Sequence, residues 1–282
     1  MLSLDRAHVF YEGLDHPECV AVHPDGSVWC GGEAGQIYRI EPDGSRAEEV
    51  ARSGGFMLGL AFTPQADALI ACDNGRKRLQ RLDLKTGTLD EFAGSAGGRD
   101  FRIPNMAVFT RAGDLFVTDS GGFRETSGCV YRFRADGTSE LWHPGPFPFA
   151  NGCTLAPDES ALYVVCSWGP SVVRIPIQAD GSAGTVETSV TLPQTVPDGV
   201  VFDAEGALYV SCYTPARIYR VPPGGAPEVW LDDWEAHTLS NPTNIAWGGA
   251  DFDQLFSANL GRWHVTRIEA GVRGAPLACH VR

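Results

Sequence analysis

The sequence predicts an all-β fold, a six-bladed β-propeller, and three observations support this prediction. A short apolar unit recurs six times with anchor positions 18, 58, 105, 151, 198 and 243, so the steps between units are 40, 47, 46, 47 and 45 residues. A second apolar run, which always contains an arginine, recurs six times in phase with the first. No stretch of useful length shows the 3.6-residue periodicity of an amphipathic helix. Repeats of this length, built from short strands and turns, are typical of propeller blades.

Each repeat accounts for one blade of three or four strands. The first strand opens the repeat and leads into a turn of the kind seen at Pro24-Asp25-Gly26, after which the second strand begins. The arginine-containing runs predict the third strands, at 37–40, 79–82, 130–133, 172–175, 218–221 and 265–268. Five further runs predict the fourth strands, at 47–50, 89–92, 139–142, 186–190 and 227–230.

The sixth repeat has no fourth strand of this kind before the chain ends. Either the N-terminal run 8–11 or the C-terminal run 275–279 would complete the blade, and the sequence does not decide between them. A strand from the N-terminus would close the ring and remove an exposed sheet edge. We expect residues 1–282 to form one domain, because all-β domains of about 200–250 residues or slightly more are common.

The composition restricts the partners and the compartment. Hydrophobic residues make up 43% of the chain and charged residues 20%, as in folded globular proteins. The formal net charge of −13 argues against nucleic acid, whose phosphates are bound by lysine and arginine. The N-terminus lacks a basic segment followed by an apolar one, and nowhere do about 18 apolar residues run together. We therefore expect a cytoplasmic protein with a small-molecule substrate and without nucleic-acid or membrane partners; the number of subunits is left open.

The eight cysteines are scattered and form no Cys-x-x-Cys pair, which argues against a zinc or redox motif. Most lie in apolar runs, where free cysteine behaves as a small hydrophobic residue. We expect reduced thiols in the core, with Cys166 and Cys212 as the two candidates for a reactive thiol.

The anchor position of each repeat is where we expect the chemistry. In a propeller the first strand of every blade lines the central channel, so equivalent positions form one ring around the axis. The ring consists of Glu18, Leu58, Asn105, Asn151, Asp198 and Thr243. Four members supply oxygen donors and a formal charge of −2, which suits a hard divalent cation such as Ca²⁺, with Mn²⁺, Mg²⁺ and Zn²⁺ as alternatives. The other interpretation is that these side chains cap strand starts or bind water in the channel.

Several phrases of the sequence resemble the regucalcin (senescence marker protein)/gluconolactonase/LRE-like family over essentially the whole chain. They are Pro17-Glu18, Arg102-Ile103-Pro104-Asn105, Asn151-Gly152 and Pro197-Asp198-Gly199. Members of that family are six-bladed propellers that hydrolyse lactones with one metal ion. The resemblance implies that Glu18, Asn105, Asn151 and Asp198 are metal ligands, and that Asp198 is also the general base.

Two positions depart from the family pattern. Sugar-lactone members carry an arginine two residues before the first asparagine ligand, where this chain has Ile103, and Arg102 is one residue out of register. The family's substrate-contacting acid aligns near Phe123, which is not a carboxylate. Both departures count against an aldonolactone substrate.

The loops that surround the ring supply candidate substrate contacts. The second-to-third strand loops lie on the same face as the starts of the first strands, which places Asp73 and Asp119 there, either orienting substrate or a second cation or forming turns. Further candidates for walls of an apolar pocket, or for packing between blades, are Phe123, Phe147, Phe149, Trp168 and Tyr213. The predicted substrate-binding set is Arg102, Asp119, Phe123, Trp168 and Tyr213.

Together these features predict a metal-dependent hydrolase of a small lactone or related ester. A metal ion can polarise a carbonyl and activate water, and Asp198 is the expected proton acceptor. The alternatives are a non-enzymatic metal- or ligand-binding propeller and an enzyme with the same fold and different chemistry, since a fold does not determine a function.

Overall fold

The predicted architecture is confirmed by the computed structural model, which describes residues 1–281. Six four-stranded antiparallel sheets are arranged as the blades of a β-propeller, and one two-stranded hairpin lies outside them. The two helical segments in this part of the chain are single 3₁₀ turns, at Leu4–Arg6 and Ala278–His280. No helix within residues 1–281 has the length and apolar character required to span a bilayer.

The strands are short, and most contain four to eight residues. In chain order they are β1 (Ala7–Glu12), β2 (Cys19–Val22), β3 (Val28–Gly31), β4 (Gln36–Ile40), β5 (Ala47–Arg52), β6 (Met57–Phe62), β7 (Ala68–Asp73), β8 (Arg78–Asp83), β9 (Leu89–Ala93), β10 (Ser95–Ala96), β11 (Arg99–Asp100), β12 (Pro104–Phe109), β13 (Leu115–Asp119), β14 (Thr126–Phe133), β15 (Ser139–Pro148), β16 (Ala150–Leu155), β17 (Ala161–Cys166), β18 (Ser171–Pro176), β19 (Glu187–Thr191), β20 (Val196–Phe202), β21 (Leu208–Thr214), β22 (Arg217–Val221), β23 (Glu228–Asp232), β24 (Pro242–Gly248), β25 (Gln254–Asn259) and β26 (His264–Glu269).

The predicted third and fourth strands are confirmed in every blade for which they were assigned. Blades 1 and 2 are β2–β5 and β6–β9, and blades 3, 4 and 5 are β12–β15, β16–β19 and β20–β23. Blade 6 has the order β24-β25-β26-β1, so the N-terminal strand completes it, with Ala7 opposite Ile268. The ring is thus closed by pairing the first strand of the chain with the last, which covers the free edge of β26.

The core lies between neighbouring blades. First and second strands are buried along nearly their whole length, as at β6 and β7, whereas β5 and the other fourth strands carry exposed residues. Each apolar cluster combines residues from two blades; in one of them Phe116 and Trp142 of blade 3 join Leu162 and Val164 of blade 4. Burying one face of each sheet against the next is the main source of stability in such a ring.

The first strands run from an upper face, where they begin, to a lower face, where they end. In five blades the pairing register between the first and second strands shifts beside the anchor position, for example between Pro104 and Ala107. A β-bulge inserts an extra residue and re-aims the side chains around it. The anchor residues therefore lie in irregular stretches of otherwise regular strands.

The lower end of the channel is apolar and is covered by the C-terminal segment. The lower ends of the first strands and residues 275–280 line one cavity, which extends upward to Met106 and Asn244. The His280 ring packs against Phe252, with 4.8 Å between ring centroids, and its Nε2 lies 3.0 Å from the carbonyl oxygen of Val22. The C-terminal run considered for blade 6 therefore plugs the lower face instead.

Candidate metal centre

The four polar anchors are all buried at the upper end of the channel. Glu18, Asn105, Asn151 and Asp198 expose 7%, 4%, 4% and 8% of their surface. Buried carboxylates and carboxamides need partners, because an unpaired polar group in the interior costs several kcal/mol. Each of these four side chains therefore requires a hydrogen-bond partner or a charged partner at this site.

Glu18 and Asp198 are close enough to influence each other's ionisation. Burial raises the pKa of Glu18 well above its ordinary value, and the negative charge of Asp198 raises it further. Burial also raises the pKa of Asp198 to about 7, and a side-chain interaction with Asn151 opposes this only in part. Two buried carboxylates that repel each other are stabilised by a cation placed between them.

One carboxylate oxygen at this site has no protein partner. Oε2 of Glu18 is buried and accepts no hydrogen bond within the described chain. The backbone of the same residue is well satisfied, since its carbonyl accepts the Thr243 hydroxyl at 2.6 Å. An unpaired buried carboxylate oxygen beside a second carboxylate fits a hard cation, and the oxygen-only donor set fits Ca²⁺ better than a thiolate- or imidazole-seeking metal.

Two serines orient the two asparagine side chains. The Asn105 amide donates to Oγ of Ser120 at 3.0 Å, and that hydroxyl donates to the Ala150 carbonyl at 2.7 Å. The Asn151 amide donates to Oγ of Ser167 at 3.0 Å, and that hydroxyl donates to the Pro197 carbonyl at 2.7 Å.

These bonds also decide which way each amide faces. A serine hydroxyl has one proton, and here it is given to a backbone carbonyl, so the serine oxygen can only accept from the asparagine. The NH₂ group of each amide must therefore face its serine, which leaves the carbonyl oxygen directed away from it, as a metal ligand requires. The carbonyls that receive the serine protons precede Asn151 and Asp198, so each serine also ties one ligand-bearing strand to the next.

Glycine follows two of the polar anchors because neighbouring first strands approach closely. A Cβ at Gly152 would lie 2.3 Å from the Asp198 carbonyl oxygen, and a Cβ at Gly199 would lie 2.6 Å from the Thr243 carbonyl oxygen. Any larger residue would push the strands apart. The Asn-Gly and Asp-Gly pairs of the sequence therefore report tight packing around the axis.

Asn244 is a channel residue that sequence reasoning missed. It follows the anchor Thr243, is buried, and its Nδ2 lies 3.4 Å from the Met106 sulfur of the opposite blade. Its Oδ1 has no partner within the described residues. These two side chains span the channel below the ring. A polar residue immediately after an anchor was the available signal, but only the bulge makes that position face the channel.

The predicted second ring divides into structural and exposed members. Asp119 is 2% exposed and accepts hydrogen bonds from the backbone amides of Arg102, Ile103 and Gly121. Asp73 accepts from Phe56 and Arg76 in the same way. Of the two interpretations of these aspartates, the geometry favours the turn-forming one, because their oxygens are used to fix the loops that lead into the first strands.

The thiols of Cys166 and Cys212 do not have the environment of a reactive cysteine. All eight cysteines are free and buried. Burial raises the pKa of Cys166 and of Cys212 to about 12 in each case. Such thiols remain protonated at neutral pH, as expected for core residues.

The other predicted substrate contacts lie on the upper face. Arg102 is exposed, and its guanidinium contacts Glu125 at 3.0 Å and Ser127 at 3.2 Å. Phe123 and Trp168 are 65% and 37% exposed, and Tyr213 is half-buried. Phe147, in contrast, is 4% exposed and packs in the core between blades 3 and 4.

A second polar cluster lies on the upper face beside Glu18. Nδ1 of His16 is 3.3 Å from Asp15 and 3.4 Å from Glu33. The Asp15 carboxylate also accepts from Gln36 at 2.8 Å. Within this cluster, Asp15 is held by hydrogen bonds from His16 and Gln36, whereas Glu33 is the more exposed member. The cluster places two further carboxylates on the side of the channel mouth formed by blade 1.

The sequence and the fold are similar to those of known proteins. The sequence matches the family described as "SMP-30/Gluconolactonase/LRE-like region" over residues 16–259. It is 27% identical over 233 residues to the adipocyte plasma membrane-associated protein Hemomucin of Drosophila melanogaster, covering 72% of this chain and 40% of that protein. It is 26% identical to a gluconolactonase of Zymomonas mobilis, covering 59% of this chain and 51% of that protein. The chain thus spans about half the length, or less, of these two relatives.

A third relative is covered more fully. The 6-deoxy-6-sulfogluconolactonase of Pseudomonas putida is 25% identical over 251 residues, which cover 81% of this chain and 77% of that protein. Two solved structures share the fold. A gluconolactonase from Xanthomonas campestris superimposes with a TM-score of 0.80 at 20% identity, covering 93% of this chain and 89% of that one. A calcium-binding protein from Agrobacterium tumefaciens, regucalcin, does so with a TM-score of 0.77 at 20% identity, covering 96% of each chain.

The structure thus has six blades, a ring of oxygen donors at the channel mouth and neighbours that are propellers of the gluconolactonase type, while the family match extends over most of the chain. The chain is a member of the SMP-30/gluconolactonase/LRE-like family.

Proposed function

We propose that this protein is a metal-dependent hydrolase of a small lactone or related ester. The observation that carries the proposal is the pair of buried carboxylates, Glu18 and Asp198, at the channel mouth, one of which has an oxygen without a partner. Evolutionarily related lactonases support the reaction class. The same proposal treats residues 1–282 as one domain that acts on a small molecule in the cytoplasm.

In this proposal, Glu18, Asn105, Asn151 and Asp198 hold the cation. Ca²⁺ is the first candidate, and a related structure described as calcium-binding supports that choice. Mn²⁺, Mg²⁺ and Zn²⁺ are the alternatives. When bound, such a cation would polarise the substrate carbonyl and make a nearby water more acidic. The two non-ligand ring positions, Leu58 and Thr243, lie on either side of Glu18 in the blade order and add no charge to the ring.

Asp198 acts as the proton carrier in the proposed reaction. The oxygen of a water molecule forms a bond to the carbonyl carbon while Asp198 accepts the water's proton. The acyl carbon–oxygen bond then breaks, and the proton passes to the leaving alkoxide, which gives a hydroxy acid. Esters and lactones suit this arrangement better than amides because their alkoxide leaving groups need less protonation.

Substrate contacts on the upper face complete the proposal. Arg102, Phe123, Trp168 and Tyr213 surround the channel mouth, although Arg102 is paired with Glu125. Asp119 would act through Arg102 and Ile103, because it holds the backbone amides of both. We therefore assign Asp119 to the shape of the pocket and leave direct contact with substrate to the exposed members.

The decisive experiment compares wild type with Asp198→Ala and Asn151→Ala on a panel of lactones and esters. Chelated protein would be assayed after addition of Ca²⁺, Mn²⁺, Mg²⁺ or Zn²⁺, and metal binding would be measured by calorimetry. We expect activity only with metal, and a loss of at least about 1000-fold in kcat for Asp198→Ala. Full activity after chelation, or an active Asp198→Ala variant, would refute the mechanism. Metal binding without turnover of any substrate would favour the non-enzymatic binding propeller.

A further inference from the structure

Three aromatic side chains on the upper face form one exposed cluster. The ring centroids of Phe123 and Trp168 are 5.6 Å apart, those of Phe149 and Trp168 are 5.4 Å apart, and those of Phe123 and Phe149 are 6.1 Å apart. We call these three residues the aromatic cluster. They come from three loops of blades 3 and 4, so the fold brings them together from distant parts of the chain.

The aromatic cluster borders the candidate metal centre. Phe149 lies two residues before the ligand Asn151, and Trp168 follows Ser167, whose hydroxyl contacts the Asn151 amide at 3.0 Å. The two loops are joined by backbone hydrogen bonds from Ser167 to Phe149 and from Trp168 to Pro148, at 3.2 and 3.1 Å. A group bound at the ring would therefore extend directly over these aromatic faces.

The exposure of the cluster is unusual for aromatic residues with this much mutual contact. Phe123 is 65% exposed and Trp168 is 37% exposed. Large apolar side chains that are grouped beside a ring of buried polar residues are typical of a binding site, because isolated exposed residues are common but contiguous patches are not. The edge-to-face arrangement, with interplanar angles of 85° for both Phe123 pairs, leaves ring surfaces available for a further apolar group.

The charges around the mouth disfavour an anionic substrate. Asp15 and Glu33 lie on the blade 1 side, near the ring carboxylates, and Arg102 is neutralised by Glu125. The guanidinium of Arg124 lies over the Phe123 ring, with 5.6 Å from Cζ to the ring centroid, and adds one positive charge beside the aromatic cluster. One wall of the mouth is thus acidic and the opposite wall is aromatic.

We propose that the aromatic cluster binds an apolar, preferably aromatic, substituent of an uncharged lactone or ester whose carbonyl lies at the ring. This inference rests on the proposed hydrolase function and specifies its substrate class. A polyhydroxylated sugar lactone would lose hydrogen bonds to water against Phe123 and Trp168 without replacing them, and a sulfonated or phosphorylated one would also meet the carboxylates of Asp15 and Glu33.

The test uses three δ-lactones that differ only in their substituents. They are δ-phenyl-δ-valerolactone, its δ-methyl counterpart and glucono-1,5-lactone, assayed with the metal-saturated enzyme and corrected for their spontaneous hydrolysis. We expect kcat/KM for the phenyl compound to exceed that for the methyl compound by about 10-fold or more, because stacking on aromatic side chains adds to simple apolar burial. The sugar lactone should be the poorest substrate.

Substitutions in the aromatic cluster test whether these residues cause the preference for the phenyl compound. Phe123→Ala and Trp168→Ala should each lower the phenyl-to-methyl ratio of kcat/KM by about 5- to 10-fold. Phe92→Ala provides the matched control, because Phe92 is a 40% exposed aromatic residue on the outer strand of blade 2, and it should leave the ratio unchanged. A ratio that is unaffected in the first two variants, or a preference for the sugar lactone, would overturn the inference.

The results distinguish an error in the proposed substrate class from an error in the proposed hydrolase function. If the wild type hydrolyses lactones but does not discriminate phenyl from methyl, only the substrate class is wrong. If nothing is hydrolysed, the hydrolase is wrong, and calorimetric titration with the same two lactones still decides the binding inference. Tighter binding of the phenyl compound that is lost in Trp168→Ala would support it, and equal affinities would contradict it.

Discussion

The two ends of the central channel are built from the same six strands and differ in almost every property. At the upper end the first strands present Glu18, Asn105, Asn151 and Asp198, in bulged segments held by hydrogen bonds between blades. At the lower end the same strands present apolar residues, namely Val22, Phe62, Val108, Leu155, Phe202 and Trp247, and the C-terminal segment covers them.

The difference predicts that stability and metal binding are separated along one strand. The lower end buries apolar surface, which favours folding. The upper end buries charge and leaves an oxygen of Glu18 unpaired, which opposes folding unless a cation is present. A substitution at the upper end should therefore affect metal binding, and a substitution at the lower end should affect stability.

The largest effect is expected for Glu18→Gln at the upper end. It removes one of two ligand charges and keeps the size of the side chain. We expect the affinity for Ca²⁺, measured by calorimetry, to fall by about 1000-fold, since ligand charge sets affinity at oxygen-donor sites. Circular dichroism should show an intact fold. An affinity within threefold of wild type would remove Glu18 from the metal centre.

At the lower end, Phe62→Ala should reduce stability without changing metal affinity. Phe62 is 5% exposed and packs edge-to-face on Trp29, with 5.7 Å between centroids. Truncation of a buried phenylalanine should lower the free energy of unfolding in urea by about 3 kcal/mol. Phe92→Ala, at an exposed aromatic position, should cost less than about 1 kcal/mol. A large drop in Ca²⁺ affinity for Phe62→Ala would show that the two ends are coupled.

The two ends should also respond differently to pH in metal-free protein. The pKa of Asp198 in the folded state is about 7, above its ordinary value of 3.8, so the folded state holds a proton that the unfolded state has released. The stabilising contribution of that proton is complete below about pH 4 and is lost as the pH rises through 7. Asp198→Asn carries no such charge and should be more stable than wild type at pH 8 by about 2 kcal/mol.

The stability advantage of Asp198→Asn over wild type should shrink steadily as the pH falls from 8 to 5. It should also disappear at pH 8 when Ca²⁺ is added to wild type. Urea unfolding in the presence of a chelator measures the difference in the free energy of unfolding between the two proteins. Glu205→Gln, at an exposed carboxylate, serves as the control and should have the same stability as wild type at both pH values. If Asp198→Asn were less stable than wild type at pH 8, the burial cost at the ring would be refuted.

The features that could be predicted from the sequence are those that depend on a residue's position within the repeat. The six arginine-containing runs and the six anchors recur in phase, so the blades, the third and fourth strands and the polar ring positions follow from spacing alone. Closure by β1 was not predictable, because both terminal runs could form a strand and the choice depends on which one reaches blade 6. The family resemblance was likewise confirmed by the family match.

Features that depend on contacts between repeats were not predictable. Asp119 is located where a substrate contact was expected, but its oxygens face the backbone of the preceding loop. Asn244 faces the channel only because of a bulge. Ser120 and Ser167 occupy equivalent positions directly after the second strands of blades 3 and 4, but serine is common in such loops and the partner atoms lie 15 to 30 residues away along the chain.

Ser167→Ala tests the smallest of these effects, the orientation of one ligand at the upper end. Ser167 is 2% exposed, and the loss of its hydroxyl would leave the Asn151 NH₂ and the Pro197 carbonyl without their partner. The Asn151 amide would then be free to rotate, so that its carbonyl oxygen would face the cation for only part of the time. We expect Ca²⁺ affinity to fall by about 10-fold, the usual scale for residues that orient metal ligands.

The control is Ser257→Ala, which removes a fully buried serine from the second strand of blade 6, where the hydroxyl contacts only the Ala258 carbonyl at 3.1 Å. Ser167→Ala should lose more stability than Ser257→Ala, because it leaves two buried groups without their partner and the control leaves one. Only Ser167→Ala should lose metal affinity, and Ser167→Thr, which retains a hydroxyl, should recover most of it. Equal Ca²⁺ affinities for the two alanine variants would mean that Asn151 is oriented without Ser167. Metal binding at the upper end would then depend on the ring residues alone.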